Sequence, residues 1–421
     1  MLALKRAASA AALLLAMLQA PAQAYVGLDL INTAPIYTPD RPTERQRHIV
    51  VLDDSIPTAQ IPTVAFEIAQ LGGAQARATL TASLAAVVVD GIREAGLELL
   101  RRDPRVRYIQ RDGLVDLNLS TQFNATWGLD RVDQQQRPLD GSYSYETDAA
   151  NVHAYIIDSG IRSSHNEFAG RIGSGFNTSN DAGGTVFSFS PFDLLGGLLS
   201  TPAGDDVEDC NGHGTHVAGT VGGSTWGVAK GVTLHPVRVF GCGRSASIVN
   251  ILLGVEWVTL NAQRPAVANM SLGGGVFQPL DEAVRASIAT GITYVVAAGN
   301  ENQNACNASP ARVTEAVTVG ATRSDDRRSS FSNFGTCLDL FAPGQGIRSA
   351  SHSSDGGSRS LSGTSMAAPH VAGAAALYLA NNPLALPAQV EAAITATATE
   401  GRVSNARTGS PNLLLYTLGW E

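Results

Sequence analysis

Uninterrupted apolar runs mark much of this chain beyond residue 150. Asn151 to Ile157, Thr233 to Phe240, Val267 to Met270, Ile292 to Ala297 and Ala316 to Gly320 each read as a β-strand. A half-exposed strand alternates apolar and polar positions, so a continuous run indicates one covered on both faces. Helical stretches stand between them, starting at His213, Ser247 and Asp281, and an Ala-rich one runs from Met366 to Tyr378. This alternation predicts an α/β fold, a parallel sheet covered by helices on both faces. Ligands of such sheets bind at the carboxyl ends of the strands. Asp158 and Asn300 both stand just past an apolar run, at that edge.

The first third is patterned differently. Lys5 and Arg6, the apolar Ala7 to Leu18 and the small-residue step Ala22-Gln23-Ala24 predict an export signal over 1–24. The apolar run is too short for a membrane anchor, and no later segment is long and apolar enough to span a bilayer. A small α+β unit is predicted over 25–119. Its strands are Arg47 to Leu52, Ala85 to Val89 and Val106 to Gln110, and its helices Ile61 to Gln70 and Ile92 to Arg102. An extended tail from Leu114 to Leu119 leads into the third segment, 120–421.

Composition narrows the class. With 421 residues, 44% hydrophobic and 16% charged, the chain is globular and long enough for two or three domains. Residues 1–119 are balanced in charge, so the whole net charge of −8 falls on 120–421. An acidic surface argues against nucleic acid as a partner. Cys210, Cys242, Cys306 and Cys337 all lie in the third segment, and an even count in an exported chain favours disulfides. Three pairings are open. Without a Cys-x-x-Cys pair, a zinc site is rejected.

Three motifs carry reactive side chains in the order Asp…His…Ser. They are Tyr155-Ile156-Ile157-Asp158-Ser159-Gly160, Asn211-Gly212-His213-Gly214-Thr215-His216 and Gly363-Thr364-Ser365-Met366-Ala367-Ala368-Pro369. A serine hydroxyl needs an imidazole to take its proton and a carboxylate to hold that imidazole in one tautomer. Ser365 opens a helical run, where positive potential favours a developing oxyanion. Asn300, in Ala297-Ala298-Gly299-Asn300, offers an amide donor for the same charge. Each residue alone has a plain structural reading: a strand-end cap, a helix N-cap, a turn asparagine. His216, three residues after His213, would give metal spacing, but is expected to be a packed, hydrogen-bonded neighbour.

In this order the motifs resemble the subtilases, serine endopeptidases, and most closely the proteinase K and aqualysin group. The resemblance covers the chain from about Ser120. The region before it is similar to an inhibitor-type propeptide, most of all from Asp103 to Ile109. The resemblance implies a secreted endopeptidase with Asp158, His213 and Ser365 as the triad and Asn300 in the oxyanion hole. In subtilisin itself, loss of that donor costs about 10²–10³ in turnover. It implies disulfides Cys210–Cys242 and Cys306–Cys337. It also implies that Ser271-Leu272-Gly273-Gly274 pairs with the substrate backbone and lines the first specificity pocket. Relatives carry Gly-Ser-Gly on the opposing strand, where this chain has Arg244-Ser245-Ala246; that departure is expected to narrow the outer subsites.

Structural calcium is implied at two places: Asp130, Asp133, Gln134, Asp140 and Ser142, and Asp339 with the carbonyls of Thr314 and Ala316. Asp205, Asp206, Glu208 and Asp209 form either a third site or an acidic turn. Ser309-Pro310 stands where relatives have a cis peptide, although trans is the default for an X-Pro bond. The apolar insertion from Asp181 to Gly204 matches no relative and is either a substrate flap or a loop packed on its own domain. The expected whole is a monomeric zymogen that cleaves itself near Leu119/Ser120 and is held inactive by its own propeptide. Its substrates are proteins and peptides with an apolar or aromatic residue before the cut. It has no membrane partner once the signal is gone, and it ends in the medium or a periplasm. A protease cutting after paired basic residues and an inactive binder of the same fold are the rival readings.

Overall fold

The computed structural model describes residues 33–39, 42–43, 46–113, 119–179 and 206–420. The predicted export signal and the 181–204 insertion lie outside them. The chain divides between Leu117 and Asn118 into two compact units.

The smaller unit is a five-stranded sheet, ordered Ile36–Tyr37, Val106–Arg111, Arg47–Leu52, Ala86–Asp90, Gln75–Leu80. The helices Ile61–Leu71 and Glu94–Arg101 belong to it. Val50, Leu52, Ile61, Ile68, Val87, Val89, Leu100 and Ile109 form its core. The strand Gln75–Leu80 escapes the sequence reading for a physical reason: it is an edge strand, exposed over most of its length, so no buried face imposes an apolar period on it.

The larger unit is built on a nine-stranded sheet. Its order is Thr399–Glu400, Leu413–Leu414, Leu340–Pro343, Val317–Thr322, Thr293–Ala297, Ala266–Met270, His153–Asp158, Thr233–Arg238, Phe176–Asn177. All neighbours are parallel except the first pair. The five long apolar runs are five of its central strands. Period 2 is at work inside them. Ala154 and Ile156 pack into one core with residues of the helices His213–Gly222 and Thr364–Asn381. Tyr155 and Ile157 pack into a second core with residues of Ile248–Asn261 and Gln278–Ala289. Both faces are covered, as continuous apolar strands require.

The chain passes from His153–Asp158 to a neighbour on one side and then returns to Ala266–Met270 on the other. Such a reversal opens a crevice at the carboxyl ends of the strands. Asp158 ends one of the strands beside it, and Ser271 directly follows the next. The third helix begins at Gln278, ahead of the expected Asp281, because Pro279 is favourable in a first helical turn.

Candidate active site

His213 opens the helix His213–Gly222, and two carboxylates aim it. Its Nδ1 lies 2.8 Å from Asp158 Oδ1 and 2.9 Å from Oδ2. Asp158 is buried and also accepts from the Ser159 N–H at 2.7 Å. An ionised carboxylate only accepts, so Nδ1 carries the proton and Nε2 is left as a base. Asp209 holds the start of the same helix. Its Oδ1 accepts from the N–H groups of Asn211 (2.9 Å) and Gly212 (2.7 Å), its Oδ2 from the Thr215 N–H (2.9 Å) and hydroxyl (2.6 Å). Several of these are donors that a helix N-terminus leaves unpaired. Gly212 sits at φ +94°, and a Cβ there would stand 2.2 Å from His352 Nδ1, so only glycine fits before the histidine.

Burial pulls the His213 pKa down. The charge and hydrogen bond of Asp158, with Asp209 adding, outweigh burial and leave the imidazole above its ordinary value, while Arg359 opposes them. His216 is buried, shares a hydrogen bond with the Ile347 carbonyl at 3.0 Å and has its pKa pushed down to about 3 by burial. It is the packed neutral neighbour that was expected.

Ser365 is the second residue of the helix Thr364–Asn381. Its Oγ donates to the Ser271 carbonyl at 3.2 Å and, among the described residues, makes no hydrogen bond to His213. Unliganded sites often leave such bonds open. Pro369 lies inside this helix and has no N–H for the Ser365 carbonyl four residues back. Ser271 Oγ supplies the missing donor at 2.8 Å, held in turn by Asn269 Nδ2 at 2.9 Å. This role of Ser271 was missed in the sequence, although a proline four residues past the serine was the signal for it. Asn300 Oδ1 accepts from the Thr364 N–H at 2.8 Å and its hydroxyl at 3.1 Å. Those donors fix the amide orientation and leave Nδ2 as the free donor.

Three hollows share lining residues here. One of about 510 Å³ is lined by Asp158, His213, Ser365, Asn300 and Arg359, among others. A second, about 230 Å³, is walled by Leu272, Gly273, Gly274, Ala297, Gly299 and Ala308, again with Asn300 and Ser365. Its one acidic side chain, Glu301, is hydrogen-bonded to Asn333 Nδ2 at 2.8 Å. The third, about 220 Å³, is bordered by Arg244, Ser245 and Ala246 on one side and Leu272 to Gly274 on the other. Neither border belongs to a strand, and Ser245, Ala246, Leu272 and Gly273 make no backbone hydrogen bonds among the described residues. An extended peptide between them has open donors and acceptors on both sides.

A family model described as the subtilase family matches residues 151–420. This chain belongs to the subtilases. It is 53% identical over 347 residues to the extracellular serine proteinase of Thermus sp. (strain Rt41A), covering 82% of this chain and 79% of the relative. It is 50% identical over 328 residues to alkaline serine exoprotease A of Vibrio alginolyticus, covering 76% of this chain but 57% of that protein. The crystal structure of a cold adapted subtilisin-like serine proteinase matches with a TM-score of 0.63 at 49% identity. That match covers 70% of this chain and 99% of the neighbour.

The disulfides of this subtilase are Cys210–Cys242 and Cys306–Cys337, with Cα atoms 4.9 and 5.3 Å apart, the pairing the resemblance implied. Ser309–Pro310 is cis, and Gly274 and Ser309 form a β-bridge. Of the acidic turn, Asp206 pairs with Arg238, Glu208 with Ser163, and Asp209 with the helix start; Asp205 lies outside the described residues.

No three His, Cys, Asp or Glu side chains among the described residues converge as a metal site by themselves. The loop after Trp127 presents a mixed set of oxygens. Asp130 Oδ1, Asp133 Oδ1 and Gln134 Oε1 are all buried without a hydrogen-bond partner among the described residues. Burial, and then the charges of Asp130 and Asp140, push Asp133 up to about 7, and burial likewise raises Asp130. Orphaned buried oxygens with displaced pKa values fit a hard cation. Asp140 belongs to this charge cluster, but its Oδ1 is committed to the Ser142 N–H (2.8 Å) and hydroxyl (2.6 Å). At the second place, burial pushes Asp339 up to about 7, and its Oδ2 accepts from the Thr318 N–H at 2.7 Å. Thr314 and Ala316 stand just before Thr318 in sequence, and among the described residues no hydrogen bond ties their carbonyls to Asp339.

Proposed function

We propose that this subtilase is a secreted endopeptidase that cuts proteins and peptides through Asp158, His213 and Ser365. The observation that carries the reading is the bidentate approach of His213 Nδ1 to Asp158 while Ser365 and Asn300 line the same hollow. His213 Nε2 takes the Ser365 hydroxyl proton as Oγ attacks the scissile carbonyl. The oxyanion is received by Asn300 Nδ2 and the Ser365 N–H. The protonated imidazole then gives its proton to the leaving amine, and water repeats the sequence on the acyl-enzyme. The glycine- and alanine-walled hollow supports an apolar or aromatic residue before the cut. Export agrees with the relative named extracellular.

The same reading includes self-cleavage near Leu119/Ser120, with residues 25–119 as an inhibitory propeptide and a monomeric product. Asp130, Asp133 and Gln134, with Asp140 nearby, would hold calcium, and Asp339 a second ion. Bound there, calcium neutralises buried carboxylates and ties the loop to the domain.

The intact mass of the wild type beside Ser365→Ala, each treated with a fluorophosphonate, tests this. Loss of residues up to about Leu119 and labelling, both in the wild type alone, are expected. Labelling of both proteins alike would remove Ser365 from its role, and labelling of neither would favour the inactive binder.

A further inference from the structure

The hollow around His213 and Ser365 is lined by two guanidinium groups. Arg244 and Arg359 both border it, and among the described residues neither side chain has a hydrogen bond or an ion pair. The acid that lines it, Asp158, is buried and committed to His213. The chain as a whole carries a net −8, so a positive cleft on an acidic protein is a local feature.

The two arginines border different stretches of the cleft. Arg244 also borders the hollow bounded by Leu272 to Gly274, outward from the pocket for the residue before the cut. Arg359 lies against the start of the His213 helix. Its guanidinium stands against Gly212, where a Cβ would meet Nη1 at 2.9 Å, and the lining beside it is Leu361 and Ser362. The leaving amine must face His213 Nε2 to receive its proton, and Arg359, beside the residue before His213, is therefore assigned to the side after the cut.

We propose that Arg244 and Arg359 select peptides with acidic residues flanking the cut, Arg244 at a position two or more residues before it and Arg359 at one just after it. This rests on the protease reading above and gives it a substrate class: apolar at the cut, acidic around it. A rim-exposed charge pair contributes modestly and is screened by salt, so the selectivity is a matter of severalfold steps and falls as ionic strength rises.

The experiment uses quenched fluorescent peptides with one Phe before the cut and Glu, Gln or Lys at either flank, cleaved by the processed enzyme. The expected Glu-to-Lys ratio in kcat/KM is about tenfold at each flank at low salt. Arg244→Gln should collapse the ratio before the cut and spare the one after it; Arg359→Gln should do the reverse. Lysine at either position, R244K or R359K, should restore the ratio, because charge and not fork geometry carries it. Each ratio is read within one preparation, so a lower overall rate leaves it intact. Equal cleavage of Glu, Gln and Lys peptides by the wild type, or ratios that survive both glutamine variants, would overturn the proposal. If Ser365→Ala cleaves the Gln peptides as well as the wild type does, the protease reading itself fails.

Discussion

Two groups of buried carboxylates in the larger unit are treated in opposite ways. Asp158 and Asp209 are met by donors on nearly every side: an imidazole, a serine hydroxyl, and the N–H groups at the start of the His213 helix. Asp130 and Asp133, with Gln134, keep oxygens that no donor among the described residues reaches, and the pKa values of the two acids are raised. Burying an unmatched anion is costly, so the difference is informative. Where the proposed chemistry belongs to the chain, the fold supplies the partner; where donors are missing, the gap fits the calcium proposed above.

The largest expected effect breaks the satisfied group at its working end. Asp158→Asn should lower kcat on the order of 10⁴-fold, because an amide can present its N–H to Nδ1 and impose the wrong tautomer. A pre-steady-state burst with unchanged amplitude and rate would exclude that role. Asp209→Asn strikes the framework behind it. An amide nitrogen would face helix-start donors, and we expect about 2–4 kcal/mol less stability in urea unfolding. A stability change below about 0.5 kcal/mol would show that the capping is incidental.

The unsatisfied group is tested by removing calcium. In chelator, Asp133 has a folded pKa of about 7 against an unfolded value near 4. A carboxyl raised by folding contributes stability below its unfolded pKa, and that contribution is lost as pH rises toward 7. The calcium-free enzyme should therefore lose melting temperature between about pH 4 and 7, and added calcium should reverse the loss. Asp133→Asn should be the more stable protein in chelator at pH 8 and the less stable one in calcium. Identical melting curves with and without calcium would separate these oxygens from metal binding. The smallest effect sharpens the electrostatics of the histidine. Arg359 opposes its protonation, so Arg359→Gln should move the acid limb of kcat/KM to higher pH. A limb that stays in place or moves down would remove Arg359 from that balance.

Much of the fold was legible before any coordinates. Five buried strands announced themselves as continuous apolar runs because covering both faces removes polar positions from the pattern. The exposed edge strand Gln75–Leu80 did not, since no buried face imposes an apolar period on it, and Leu340–Pro343 is only four residues long. Motif chemistry singled out Asp158, His213, Asn300 and Ser365, and the fold brings these four to one hollow. Ser271's service to the Ser365 carbonyl and Asp209's hold on the His213 helix were not. One joins residues 94 positions apart, and the other looks in sequence like one more acid in an acidic turn.

By itself, the amino-acid order determined the class of fold, the reactive residue types and their succession, because periodicity and local motif are properties of neighbouring residues. Tertiary structure decided which groups face one another: which of three cysteine pairings forms, which acids find donors, and which arginines, among the described residues, are left without a partner beside the cleft. Those outcomes depend on contacts between distant segments, and a linear pattern carries no distances.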